Sequence, residues 1–117
     1  MQKLKPLIPI LREKKRYVVF EVISKTPIKS LKAVGDAVLD SFLSFFGTKE
    51  LAKAGLIIIK DKFNDSTQRG IIRVSNRYVD ALKSALTLVK QSENQEVIIR
   101  SRGVSGILKK TARFMEG

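Results

Sequence analysis

The 117 residues carry 23 lysines and arginines against 11 acids, a formal net charge of +12, with no histidine and no cysteine. That length holds one hydrophobic core, and the missing residue types exclude disulfides, thiol nucleophiles, imidazole acid–base chemistry and ordinary zinc sites. Hydrophobic residues make up 44%. The longest aliphatic run, Leu56–Ile59, is far short of the ~20 residues of a membrane span, and the N-terminus has lysines but no apolar signal segment. The expectation is a cytoplasmic, strongly basic single domain with polyanionic partners and no membrane.

Residues 1–15 contain Pro6 and Pro9 and no period, and read as a basic arm. Arg16–Ser24 alternates, with Val18, Phe20 and Val22 on one face and Tyr17, Val19, Glu21 and Ile23 on the other, and reads as a strand. Thr26-Pro27 reads as an N-cap followed by proline at the first helical position, which predicts a helix over 27–46 stopped by Gly47. Leu31, Val34, Val38, Phe42 and Phe45 form its buried stripe, widened on a flank by Leu39, Leu43 and Phe46. A helical turn around Lys49–Lys53 leads into a second strand over 54–63. A polar loop over 64–68 and a third strand, Arg69–Ser75, follow. Asn76 caps a predicted helix from Arg77 to about Gln91, with Val79, Leu82, Leu86 and Val89 inward. Glu96–Arg102 makes a fourth strand, and a last helix runs from an N-cap at Ser105 to Met115.

The order predicts an α+β chain: a ferredoxin-like, RRM-like βαββαβ sandwich with a four-stranded antiparallel sheet. Residues 1–15 would be the arm, 16–103 the core and 104–117 a basic C-terminal helix. Right-handed crossovers put both helices on one face of the sheet, leaving Tyr17, Val19, Arg73, Arg100 and Arg102 on the other. RNA-recognition modules of this topology stack bases on aromatics of the first and third strands. Arg69-Gly70 begins such a third-strand signature, but Ile71, Arg73 and Asn76 stand at its aromatic positions.

The charge gathers at the two ends of the chain. Lys3, Lys5, Arg12, Lys14, Lys15 and Arg16 face only Glu13, and residues 98–113 hold Arg100, Arg102, Lys109, Lys110 and Arg113 without an acid. The candidate RNA-binding residues are therefore Lys14, Lys15, Arg16, Arg73, Arg100, Arg102, Ser105, Gly106, Lys109, Lys110 and Arg113. Ser105 and Gly106 enter as the open N-terminus of the last helix. The apolar surplus at Val19, Ile23, Leu39, Leu43 and Phe46 is the candidate protein interface. Asp36 and Asp40 are the nearest approach to a metal-binding pair, but Lys32 is placed to neutralise Asp36. No catalytic side chain, metal ligand or bound cofactor is expected.

Gly103-Val104-Ser105-Gly106-Ile107-Leu108-Lys109-Lys110 resembles the closing motif of the archaeal and eukaryotic ribonuclease P protein component 2 family, with Ile107 where that family often has Thr. Pro9–Tyr17 is similar to that family's basic lead-in to its first strand. Ala54-Gly55-Leu56-Ile57-Ile58 and Arg69-Gly70-Ile71-Ile72-Arg73-Val74 are similar to its second and third strands. The resemblance implies a non-catalytic subunit that assists a catalytic RNA in removing the 5′ leader from precursor tRNA, with Mg²⁺ on the RNA. It also implies contact with ribonuclease P protein component 3; the expected assembly of the chain is a homodimer or a heterotetramer. The competing reading is a general RNA-binding or ribosomal-type protein of another particle.

Overall fold

The computed structural model describes residues 14–116. Apart from Lys14 and Lys15, the expected N-terminal arm lies outside the described residues. The elements run β1 (Lys15–Ser24), α1 (Leu31–Ala54), β2 (Ile57–Ile58), β3 (Arg69–Ser75), α2 (Val79–Leu88), β4 (Gln91–Ser92), β5 (Gln95–Ser105) and α3 (Ala112–Met115). Short 3₁₀ turns lie at Lys60–Lys62, Asn76–Tyr78 and Leu108–Thr111. The architecture is α+β around a single antiparallel sheet in the order β2-β3-β1-β5-β4.

The sheet has five strands, not the expected four. The extra one, β4, pairs Ser92 with Gln95 around Glu93-Asn94, whose φ values of 51° and 60° make a two-residue hairpin of the type that suits the strand twist. Helical periodicity reaches only Leu88, so the residues expected to finish the second helix form this hairpin instead. The second strand is also shorter than its apolar run, because the chain turns into the 3₁₀ segment after Ile58.

The start of α1 departs most from its local signals. Ser30, not Thr26, is the N-cap, its hydroxyl accepting from the Ala33 N–H at 3.1 Å. Three side chains hold residues 26–30 in a non-helical approach to α1. Gln95 accepts from the Thr26 N–H and donates to its carbonyl, and Gln68 does the same for Ile28. The Glu93 carboxylate accepts from the Ser30 N–H at 2.6 Å. These partners are distant in sequence, so tertiary bonding overrides the Thr-Pro signal. Gly47, with φ of 88°, breaks α1 into two helical stretches, and Gly55 caps its end in the left-handed conformation.

Both long helices cover one face of the sheet. Val18, Phe20, Val22, Ile72, Val74, Val97 and Ile99 meet Val34, Val38 and Phe42 of α1 and Leu82, Ala85 and Leu86 of α2 in one core. The α1 stripe continues by steps of four to Phe46, whose ring centroid lies 4.9 Å from that of Phe42, while Phe45 is 60% exposed. Phe46 therefore packs toward the core rather than serving as a free protein contact. Val19 is likewise corrected, being 0% exposed on the opposite face of the sheet. Its register neighbours are Ile71 and Gly103, and a side chain at Gly103 would come within 2.5 Å of the Phe114 ring. The C-terminal segment thus folds back over the outer face and covers that row.

Candidate nucleic-acid interface

The outer face is built in rows across β3, β1 and β5. At the far end Ile23 pairs with Ile98, both exposed. Next comes Glu21, between Arg69 and Arg100. The covered row of Val19, Ile71 and Gly103 follows. Beyond it lies a row of Ile57, Arg73, Tyr17 and Ser105, in register across β2, β3, β1 and β5.

Glu21 collects three guanidinium groups. Arg69 reaches it at 3.2 Å, Arg100 at 3.0 Å and Arg102 at 3.8 Å. A register shift between Val19 and Phe20 leaves Arg102 as the bulged residue. Burial pushes the Glu21 pKa up, and hydrogen bonds from Arg100 and Arg69 outweigh it, so the carboxyl sits below its ordinary range. Arg69, only 7% exposed, also donates to the carbonyls of Phe114 and Glu116, tying the end of α3 to the sheet. Sequence reading saw Arg100 and Arg102 as free cations. Here they share one carboxylate while remaining about half and one-third exposed.

The basic start of β1 lies beside the end of β5. Tyr17 pairs with Ser105, and a side chain at Gly106 would lie 3.4 Å from Nη1 of Arg16. The Arg16 guanidinium donates to the Lys15 carbonyl at 3.0 Å, while the Lys15 ammonium lies beside Gly55 and Lys14 is exposed. Lys14, Lys15, Arg16, Ser105 and Gly106 thus share one end of the sheet, close to Arg73.

Ser105 is not a helix cap. It ends β5, and its hydroxyl accepts from the Ile107 N–H and donates to the Ile107 carbonyl, a local turn that delays the helical segment to Leu108. The expected continuous helix is a 3₁₀ turn followed by the four residues of α3, too short to present a helix N-terminus to an anion. Lys109 and Lys110 are exposed on the 3₁₀ turn, and the Arg113 guanidinium lies 4.8 Å from the Phe114 ring centroid. Arg69 and Glu21 were not singled out from sequence. A lone acid in a strand facing arginines in two others becomes legible only once register is known.

Among the described residues no three carboxylates are grouped to hold a metal ion, and Asp36 pairs with Lys32 at 2.9 Å. Of the apolar interface candidates, Ile23 and Leu43 are each 41% exposed. Leu39 is partly buried in a groove between α1 and β2 that Gly35 and Ile57 also line. Among the described residues no helix is long and apolar enough to cross a membrane.

Comparison with known proteins places this geometry in context. The model of the Rpp14/Pop5 family matches residues 16–116. Ribonuclease P protein component 2 of Thermococcus kodakarensis is 38% identical over 112 residues, covering 96% of this chain and 91% of the relative. The Pyrococcus horikoshii protein of that name is 38% identical over 116 residues, covering 97% and 92%. That of Methanocaldococcus jannaschii is 31% identical over 110 residues, covering 94% and 78%. Among solved structures, a chain of the cryo-EM structure of yeast ribonuclease MRP superposes with a TM-score of 0.61 at 10% identity, covering 80% of this chain and 75% of that one, a likeness of fold.

Proposed function

The chain belongs to the Rpp14/Pop5 family, and from that premise we propose how it serves ribonuclease P: its basic sheet end neutralises backbone phosphates of the RNA. It is a non-catalytic protein subunit of a ribonuclease P, the ribonucleoprotein endonuclease that matures tRNA 5′ ends. It contributes cations, and the RNA holds the Mg²⁺ that cleavage requires. The strand order β2-β3-β1-β5, with α1 after β1 and α2 after β3, supports reading the fold as ferredoxin-like. The single observation that carries the RNA reading is the gathering of Lys14, Lys15 and Arg16 beside Arg73 at one end of the sheet.

Ribonuclease P protein component 3 is the proposed protein partner, in a complex where this chain is present once or as a pair. Exposed Ile23 and Ile98 at the opposite end of the sheet, and Leu43 with Phe45 on α1, support this assignment. Those patches leave the basic end open for RNA. The proposed location is cytoplasmic.

Salt-dependent binding to the ribonuclease P RNA tests the electrostatic reading. Each phosphate neutralised by Lys or Arg releases condensed counterion, so with five to eight contacts log K should fall against log salt with a slope of roughly −3 to −7. Replacing Lys14, Lys15 and Arg16 with Gln should reduce that slope by about two to three. A slope near zero, or one unchanged in the triple variant, would contradict the assignment.

A further inference from the structure

Arg73 sits in the middle of the outer sheet face, between Tyr17 on β1 and Ile57 on β2, and its Nε is buried with no hydrogen-bond partner. Native folds rarely leave such a donor without an acceptor, because a buried N–H has given up water for nothing. Among the described residues, its own row and the next one hold no acid. Glu21 lies two rows away and already receives three arginines, while the nearer ionic groups, Lys15 and Arg16, are cations. An anionic molecule from outside the chain would supply an acceptor that the described residues do not.

The surroundings indicate its kind. Tyr17 is partly exposed on the central strand, Ile57 is 50% exposed beside it, and Ser105 closes the row on β5. The C-terminal segment covers the next row, with Phe114 over Gly103. An aromatic ring next to a guanidinium, at the sheet end that carries Lys14, Lys15 and Arg16, suits a planar base joined to a phosphate better than a protein carboxylate. We propose that Tyr17, Arg73 and Ile57 form a seat for one unpaired ribonucleotide, its base stacked on Tyr17 and its phosphate taken by the Arg73 fork through Nε and one Nη. This rests on the reading that RNA is the partner, and deepens it from phosphate neutralisation to selection of single-stranded over duplex segments.

The test compares the full chain binding an eight-nucleotide single-stranded RNA and a blunt RNA duplex of the same length at one salt concentration. Stacking on one aromatic residue predicts that Tyr17→Ala weakens the single-stranded complex about five- to hundredfold. Tyr17→Phe should bind like the parent. Tyr17→Leu, which keeps an apolar side chain, should behave as Tyr17→Ala, so a packing defect in the alanine variant does not decide the result. Arg73→Lys keeps the charge and loses the fork, and should weaken single-strand binding several-fold with an unchanged salt slope. Duplex binding should stay within about twofold throughout. The proposal is overturned if Tyr17→Leu and Arg73→Lys bind the single strand as tightly as the parent, or lose strand and duplex equally while the Lys14, Lys15 and Arg16 substitutions still weaken both. Absence of RNA binding by the parent chain overturns the broader reading, and this one with it.

Discussion

Glu21 shows how one side chain couples the sheet to the C-terminus. It orients Arg69, and Arg69 holds the carbonyls of Phe114 and Glu116. Removing the carboxylate leaves a nearly buried guanidinium with only those carbonyls, so Glu21→Gln should destabilise the fold by about 1–3 kcal/mol. The sign of the pH dependence follows from a folded-state pKa below the ordinary value. The stabilisation is complete above the unfolded carboxylate pKa of ~4.3 and disappears as pH falls through the lower folded value. Thermal melts of parent and variant between pH 7 and 3 should therefore show a constant gap near neutrality that narrows below about pH 4.3. A gap that widens in acid would contradict the assignment. At this scale the sequence identifies Arg73, Lys15 and Arg16 as cations of interest, but not their different surroundings. Burial of the Arg73 Nε and the sharing of Arg100 and Arg102 by Glu21 arise from cross-strand register, which no local pattern records.

Among the elements, β1 and β3 are legible from two-residue alternation and β-branched content, and β3 is Arg69–Ser75 as the spacing predicts, although its burial does not alternate because both of its faces are covered. Helix α1 is legible along its buried stripe but not at its start, where Gln68, Glu93 and Gln95 hold residues 26–30 out of the helix. Glu93 does two jobs: it occupies the left-handed position of the β4–β5 hairpin and caps the approach to α1 with its carboxylate. Glu93→Ala should cost about 0.5–2 kcal/mol, and amide hydrogen exchange should accelerate at Ser30 and the first turn of α1 while the β1–β3 pairing stays protected. Uniform acceleration throughout the chain would instead mean that the helix start does not open locally. The final helix was the poorest reading. Ser105 has the right chemistry for a cap, yet β1 pairing extends β5 to it and its hydroxyl turns back on Ile107.

For the whole molecule, composition excludes imidazole and thiol chemistry and points to polyanions, while the fold brings Arg73 of β3 beside the basic start of β1 at one end of the sheet. Resemblance in the quoted motifs pointed to the family that the residue 16–116 match shows. Physical reading of charge and periodicity reaches an RNA-associated domain and no further, because cationic side chains do not encode which RNA they serve. What neither source resolves is the division of the surface, and here the geometry speaks: cations and Tyr17 at one end of the outer face, exposed Ile23 and Ile98 at the other. The most direct measurement is precursor-tRNA cleavage by the ribonuclease P RNA reconstituted with its other proteins at low Mg²⁺, adding either the parent chain or the Lys14, Lys15 and Arg16 triple Gln variant, each checked by melting for intact folding. The parent should stimulate 5′-leader removal, and the variant should fall short at low Mg²⁺ and recover as Mg²⁺ is raised, since the metal replaces the lost cations. Full stimulation by the folded variant at low Mg²⁺ would contradict the claim that this end of the sheet serves the RNA.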